Sequence, residues 1–246
     1  MAKKTAKAKT KPAVQAKPAA KPSPKRGVAT KAKSKPKARA GVPTTKPAAS
    51  GDGHVWRAEP RATGSDPAAS RITRRRTIHA GKKYQYQEVG IRADDGSEIY
   101  RQMVKHPGAV TVLPLLDTPD GLRVVIIRNE RFAVGKTLTE LPAGTLEPNE
   151  DPSVSGVREL EEEIGYTSEH LTLLGTFFTT PGLTDEIMYA YAATNLRHVG
   201  QRLEADEKIK VEMVTPDEAF VMVDDGRMMD AKSMLTLLLA RRRGLV

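Results

Sequence analysis

Apolar periodicity is sparse before about residue 77 and regular after it. Residues 82–106, "KKYQYQEVGIRADDGSEIYRQMVKH", alternate Tyr84, Tyr86 and Glu88 and predict two strands around a turn at "DDGS". "GAVTVLPLL" and "LRVVIIRN" are β-branched runs on either side of "DTPDG", a second hairpin. Pro114 inside the first run points to an edge position or a bulge. "LTLLGTFFT" and "EIMYAYAAT", joined by "TPGLTD", and then "IKVEMV" read as further strands. "TPDEAFVMVDDG" opens with a capping residue and closes at Gly226, so it predicts a helix. "MDAKSMLTLLLARRR" is a final amphipathic helix whose basic last turn suits the helix dipole. Strands with two or three helices predict a mixed α/β sandwich.

One more helix comes from "GTLEPNEDPSVSGVRELEEEIGY", residues 144–166, which carries seven carboxylates. Asp151 can cap it, Pro152 suits its first position and Gly165 can end it, giving about 153–164. At about 100° per residue, with Glu159 at zero, Glu163 falls near +40° and Glu162 near −60°. These three share one face. Leu160, Val157 and Ile164 turn toward the core, and Glu161 lies on neither face. Ser155 and Gly156 fall on the carboxylate side. A helical glycine costs roughly 1 kcal/mol relative to alanine, so Gly156 predicts a close approach there by the preceding "LPAG" loop.

Charge changes the picture at the N-terminus. The 246 residues carry a net charge of +10, yet residues 1–50 hold 15 Lys or Arg and no Asp or Glu. The rest holds 25 basic and 30 acidic residues, so an acidic body follows a basic arm. The arm is Lys, Ala and Pro in loose repetition, with too little apolar surface to offset ordering entropy. We expect residues 1–76 to be a disordered arm and linker, including Trp56 and the basic run Arg74, Arg75 and Arg76. The arm is suited to nonspecific contact with nucleic acid. There is no Cys, hence no disulfide or thiolate zinc site. No apolar run of about 18 residues suggests a membrane span, and no secretory h-region is seen, so the expected location is cytoplasmic.

Three carboxylates on one helical turn repel one another and raise each other's pKa, and a divalent cation reverses this. Hard oxygen donors without Cys favour Mg²⁺ or Mn²⁺ over zinc.

The spacing of the whole stretch resembles the Nudix box: Gly, five residues, Glu, seven residues, Arg-Glu, an aliphatic residue, any residue, Glu-Glu, any residue, Gly, and an apolar residue. Gly144, Glu150, Arg158, Glu159, Leu160, Glu162, Glu163, Gly165 and Tyr166 fill it in register, with Tyr166 where an aliphatic residue is usual. "HPGAVTVLPLL", "ELPAG", "TTPGLTDE" and "DGRMMDAKSM" resemble the ADP-ribose pyrophosphatase branch, in which a proline lies about 15 or 16 residues after the box, here Pro181.

The resemblance implies a Nudix-type α/β/α sandwich with a mixed sheet over residues 106–246. Before it, a small antiparallel β segment over 77–105 would pack across a homodimer and help shape the adenine site. It implies hydrolysis of a nucleoside diphosphate derivative, ADP-ribose giving AMP and ribose 5-phosphate. Glu159 and Glu163 would hold Mg²⁺, Glu162 would assist, and the Ala143 carbonyl would add a ligand. Arg158 would brace Glu162. Arg131, Glu140, Pro181 and Glu186 fall at substrate-side positions, although Asn129 and Glu130 depart from the branch's usual residues before Arg131. The general base would come from "RLEADEKIKV", with Glu207 first and Glu204 as the alternative. Other readings are hydrolysis of GDP-mannose, NADH, a dinucleotide or an RNA cap, or a noncatalytic ligand sensor on the same fold.

Overall fold

The computed structural model describes residues 66–203, 205 and 207–246; the arm through residue 65, Trp56 and Glu204 lie outside the described residues. The described chain opens with one helical turn, α1 (Pro67–Ser70), and an antiparallel sheet of β1 (Ile72–Ala80), β2 (Gln85–Arg92) and β3 (Glu98–Lys105). β1 begins inside the stretch read from sequence as linker and contains Arg74, Arg75 and Arg76. It was invisible as a strand because nearly all its side chains are exposed and show no alternation. Its backbone pairing with β2, Arg75 opposite Val89, defines it.

The two β-branched runs become β4 (Ala109–Thr118) and β5 (Gly121–Arg131), which meet at Thr118 and Gly121. β6 (Lys136–Glu140) pairs with β5, and the short β7 (Ala143–Thr145) pairs with the start of β4. Farther along come β8 (Tyr166–Thr167), β9 (His170–Phe178), β10 (Ile187–Thr194), β11 (Arg197–His198) and β12 (Ile209–Val214). The main sheet runs β12-β5-β4-β10-β9 and is mixed, with β4 and β10 parallel and the other pairs antiparallel. β8 and β11 form a separate pair.

Pro114 is buried in β4, at the middle of this sheet, rather than on an edge. β4 pairs with β7 as far as Thr111 and with β5 only from Leu115. Pro114 falls where β4 changes neighbours, so its missing N–H breaks no ladder on that side. Just before it, the Val112 N–H donates to the Pro142 carbonyl (2.9 Å).

Alternate residues of β4 and β5 face opposite layers, which is why both strands read as continuous apolar runs. Leu113, Leu115, Val124 and Ile126 pack under α3 (Pro216–Asp224) and α4 (Ala231–Arg242), with Phe220, Leu237 and Ala240. Val110, Val112, Val125 and Ile127 pack against Leu160 and Ile164 on the other side. Thr215 caps α3 in a reciprocal box with Glu218. The acidic stretch is not one continuous α-helix. α2 covers Pro152–Glu159, and Leu160–Ile164 form a π-helical turn that ends at Gly165 in the left-handed region (φ 72°).

Candidate active site

Asp151 starts α2 by accepting the Ser153 N–H (2.8 Å), and Pro152 takes the first helical position. Two turns on, Arg158 gathers the acidic stretch. It donates to Glu150 (2.9 and 3.1 Å), Glu159 (2.7 Å) and Glu162 (2.9 Å), and also to Ser155 Oγ and the Thr145 carbonyl. These bonds raise the Arg158 pKa further, the one to Glu150 most, so its charge is permanent. Arg158 thus ties the loop before α2 to the carboxylate face.

Glu159 and Glu163 are buried. Desolvation pushes Glu159 up to about 7; Arg158 opposes this, while Glu162 and Glu207 add to it. Glu163 is raised well above the usual range, again chiefly by burial, against the Ala143 N–H that donates to it (2.9 Å). Both acids lack enough positive charge for their burial. Glu161 points elsewhere and pairs with the exposed Arg202 (2.9 Å).

The glycine that the site needs is Gly144 rather than Gly156. A Cβ on Gly144 would overlap the Glu159 carboxylate, whereas one on Gly156 would meet Leu171 (3.0 Å) and Val112 (3.3 Å) in the core. Gly156 sits between the polar and apolar faces of α2, and the sheet comes closer to it than the loop does.

The carboxylates line one wall of a cleft of about 930 Å³. Arg131, from the end of β5, stands on another wall. It donates through Nε and Nη2 to both oxygens of Glu140 (2.8 and 2.7 Å). Lys232 in α4 also reaches Glu140 (2.5 Å) and contacts Asp230 (2.9 Å). Burial pushes Glu140 up, but these two cations outweigh it and hold the carboxyl below its ordinary value.

A third wall joins the small sheet to the turn between β9 and β10. Lys105 pairs with Asp185 (2.6 Å), and the His106 N–H donates to the same carboxylate (2.8 Å). The Gly108 N–H donates to His106 Nδ1 (3.0 Å), so Nε2 carries the proton and faces Glu186 (3.3 Å). Burial lowers the His106 pKa, against the pull of Glu186 and Asp185. Thr179 also donates to Glu186, and Tyr84 stacks on His106 at 4.8 Å.

Arg131, Ala143, Gly144, Glu159, Glu162, Glu163, Glu186 and Glu207 therefore border one cleft, and Glu140 lies directly behind Arg131. Pro181 does not line it; it is exposed in the β9–β10 turn, from which Thr179, Thr180 and Glu186 reach the cleft. Glu204 lies outside the described residues. Sequence reasoning missed Lys232, Asp230, His106 and Tyr84. For Lys232 and Asp230 the available signal was the Asp cap opening the last helix, "DAKS", but the Glu140 that Lys232 pairs with lies 92 residues away.

The acidic wall suits a divalent cation in the chemistry of its donors. It offers hard oxygens, two acids short of positive charge, and a backbone cradle at Gly144 that a side chain would fill. Among the described residues no three His, Cys, Asp or Glu side chains already converge on one point; Arg158 occupies Glu159 and Glu162.

A family model, the NUDIX domain, matches residues 105–237. The ADP-ribose pyrophosphatase of Bacillus subtilis (strain 168) is 36% identical over 158 residues, covering 63% of this chain and 84% of that protein. The methanol dehydrogenase activator of Bacillus methanolicus is 34% identical over 162 residues, 65% and 86% of the two chains. A solved ADP compounds hydrolase superposes with a TM-score of 0.61 at 18% identity, over 71% of this chain and 96% of that one, and shows the shared fold. The matched domain spans more than half of the chain, and on that match the protein belongs to the Nudix family of hydrolases.

Proposed function

We propose that the protein hydrolyses the diphosphate bond of ADP-ribose, yielding AMP and ribose 5-phosphate. The observation that carries this reading is the meeting, in one cleft, of a carboxylate cluster short of cations with the guanidinium of Arg131. The resemblance to ADP-ribose pyrophosphatases supplies the substrate class. Nudix hydrolases use a divalent metal, and here we assign Mg²⁺, held by Glu159, Glu163 and the Ala143 carbonyl with help from Glu162. Bound there, the cation would neutralise and polarise the diphosphate. Arg131 positions the phosphates through its charge, and Glu140 fixes the direction of the guanidinium. Glu207 accepts the proton of the attacking water as its oxygen bonds to phosphorus and the bridging P–O bond breaks.

Tyr86 and Tyr100 are exposed on one face of the small sheet, and this supports packing across a homodimer. Sedimentation should give a dimer, and Tyr86→Glu should give monomers. The basic arm is assigned to nonspecific nucleic-acid contact. Deleting residues 1–50 should abolish salt-sensitive binding and leave small-substrate turnover unchanged. No helix among the described residues is long and apolar enough to cross a membrane.

Substrate profiling with Mg²⁺ tests the main reading, comparing ADP-ribose, GDP-mannose, ADP-glucose, NADH, diadenosine polyphosphates and capped RNA. ADP-ribose should give the highest kcat/KM. Glu163→Gln should cost at least about 100-fold, since even outer partners of metal ligands are worth roughly 10–100-fold. Turnover of none of these substrates, or full activity in Glu163→Gln, overturns it.

A further inference from the structure

We propose that Lys232 is a positioning residue that adapts the Arg131 wall to a diphosphate. By sharing Glu140 with Arg131, it keeps that wall from becoming net negative where the phosphates approach. The inference rests on the reading of the protein as a diphosphate hydrolase.

Lys232 is not placed as a phosphate finger. Its side chain is 13% exposed, and its ammonium lies 2.5 Å from Glu140 and 2.9 Å from Asp230. Of the two, Arg131 is the more accessible, with a side chain 40% exposed. Glu140 sits behind it, fully buried, and accepts from both. The four charges of this knot cancel: Arg131 and Lys232 against Glu140 and Asp230. Without Lys232 the count is one negative charge, and Arg131 would spend its field on its own counter-ions. A diphosphate entering the cleft would then meet repulsion in a poorly screened site.

The geometry is held rigidly. Asp230 caps α4 by accepting the Ser233 N–H (3.0 Å), and Ser233 Oγ accepts the Leu141 N–H (2.8 Å). One helical turn therefore fixes both Glu140, through Lys232, and the residue after it. The same backbone continues through Pro142 to Ala143 and Gly144 on the acidic wall. The last helix thereby sets the charge on one wall and anchors the strand end leading to the other.

Calorimetric titration with α,β-methylene-ADP, a non-hydrolysable diphosphate, and with adenosine tests this. The comparison uses the wild-type chain, Lys232→Met, Lys232→Gln, Lys232→Arg and the double variant Asp230→Asn/Lys232→Met. Lys232→Met should bind the diphosphate about 10-fold more weakly, with adenosine unchanged. Lys232→Arg should restore most of the affinity. The double variant should recover it too, because it returns the count to zero while Asn still caps α4. Lys232→Gln, which keeps a donor but no charge, should behave like Lys232→Met and carries the test if the methionine variant folds poorly. Diphosphate affinity equal to wild type, equal losses for adenosine, or no recovery in the double variant would overturn the proposal. Wild-type turnover of ADP-ribose is scored separately. Its absence with this binding pattern intact refutes the hydrolase reading alone, and its presence with unchanged Lys232→Met binding refutes only the role of Lys232.

Discussion

Glu163 lines the cleft and Glu140 lies behind Arg131, both withdrawn from water, and the protein treats their charges in opposite ways. Burial alone would raise both pKa values. Glu140 receives Arg131 and Lys232 and ends below its ordinary value. Glu163 accepts the Ala143 N–H and feels the charge of Arg131, but burial and the nearby Glu159 and Glu207 outweigh both, and it ends well above it. The first is a completed ion-pair knot that fixes geometry. The second is an incomplete one, whose carboxylates keep a deficit of positive charge. Depth of burial does not separate a structural glutamate from a functional one; the balance of partners does.

The largest test of this contrast is to break the completed knot. Glu140→Gln takes away the carboxylate that Arg131 shares with Lys232, although Lys232 keeps Asp230, and should destabilise the fold by about 3 kcal/mol, read from urea unfolding. Next comes the dependence on pH in chelator-treated protein. The Glu159 pKa rises on folding from 4.5 to about 7, so the folded state binds the proton more tightly. Stability should therefore fall as pH rises through that window, by about 3 kcal/mol at most. Glu159→Gln should remove this slope and Mg²⁺ should flatten it. Glu140 has the opposite sign: its contribution is present above the ordinary carboxylate range and lost as pH falls below it. Gly144→Ala should cost about 1–3 kcal/mol and reduce turnover, because the new methyl must displace the Glu159 carboxylate. Smallest of all, Glu161→Gln breaks a surface pair with Arg202 and should change stability by less than about 1 kcal/mol and leave turnover untouched.

The same contrast explains what was legible in the sequence. Spacing along one helix gave the shared face of Glu159, Glu162 and Glu163 and the separate direction of Glu161, because those relations are local. The capped helices and the hairpin of two β-branched runs were legible for the same reason. Glu140 with Lys232, and His106 with Glu186, were not, since their partners lie far apart in the chain. β1 was missed because an exposed strand has no alternation to read. Pro114 misled because a central strand can lose a donor where it changes neighbours. Gly156 misled because a helical wheel shows the direction of a residue and not how near its neighbours come.

The π-helical turn from Leu160 to Ile164 bears on how this stretch can vary. Each backbone bond there spans one residue more than in an α-helix. Removing Glu161 would let an ordinary helix close, and because the wide turn already absorbs the extra residue, Glu162, Glu163 and Gly165 would keep nearly the directions they have. A deletion inside the regular helix α2 would instead rotate everything after the gap by about 100° and turn Glu163 away from the cleft. The run of glutamates is therefore tolerant at Glu161 of exchange and of loss alike. The severe lesion is a change of length in α2, even where every carboxylate is kept.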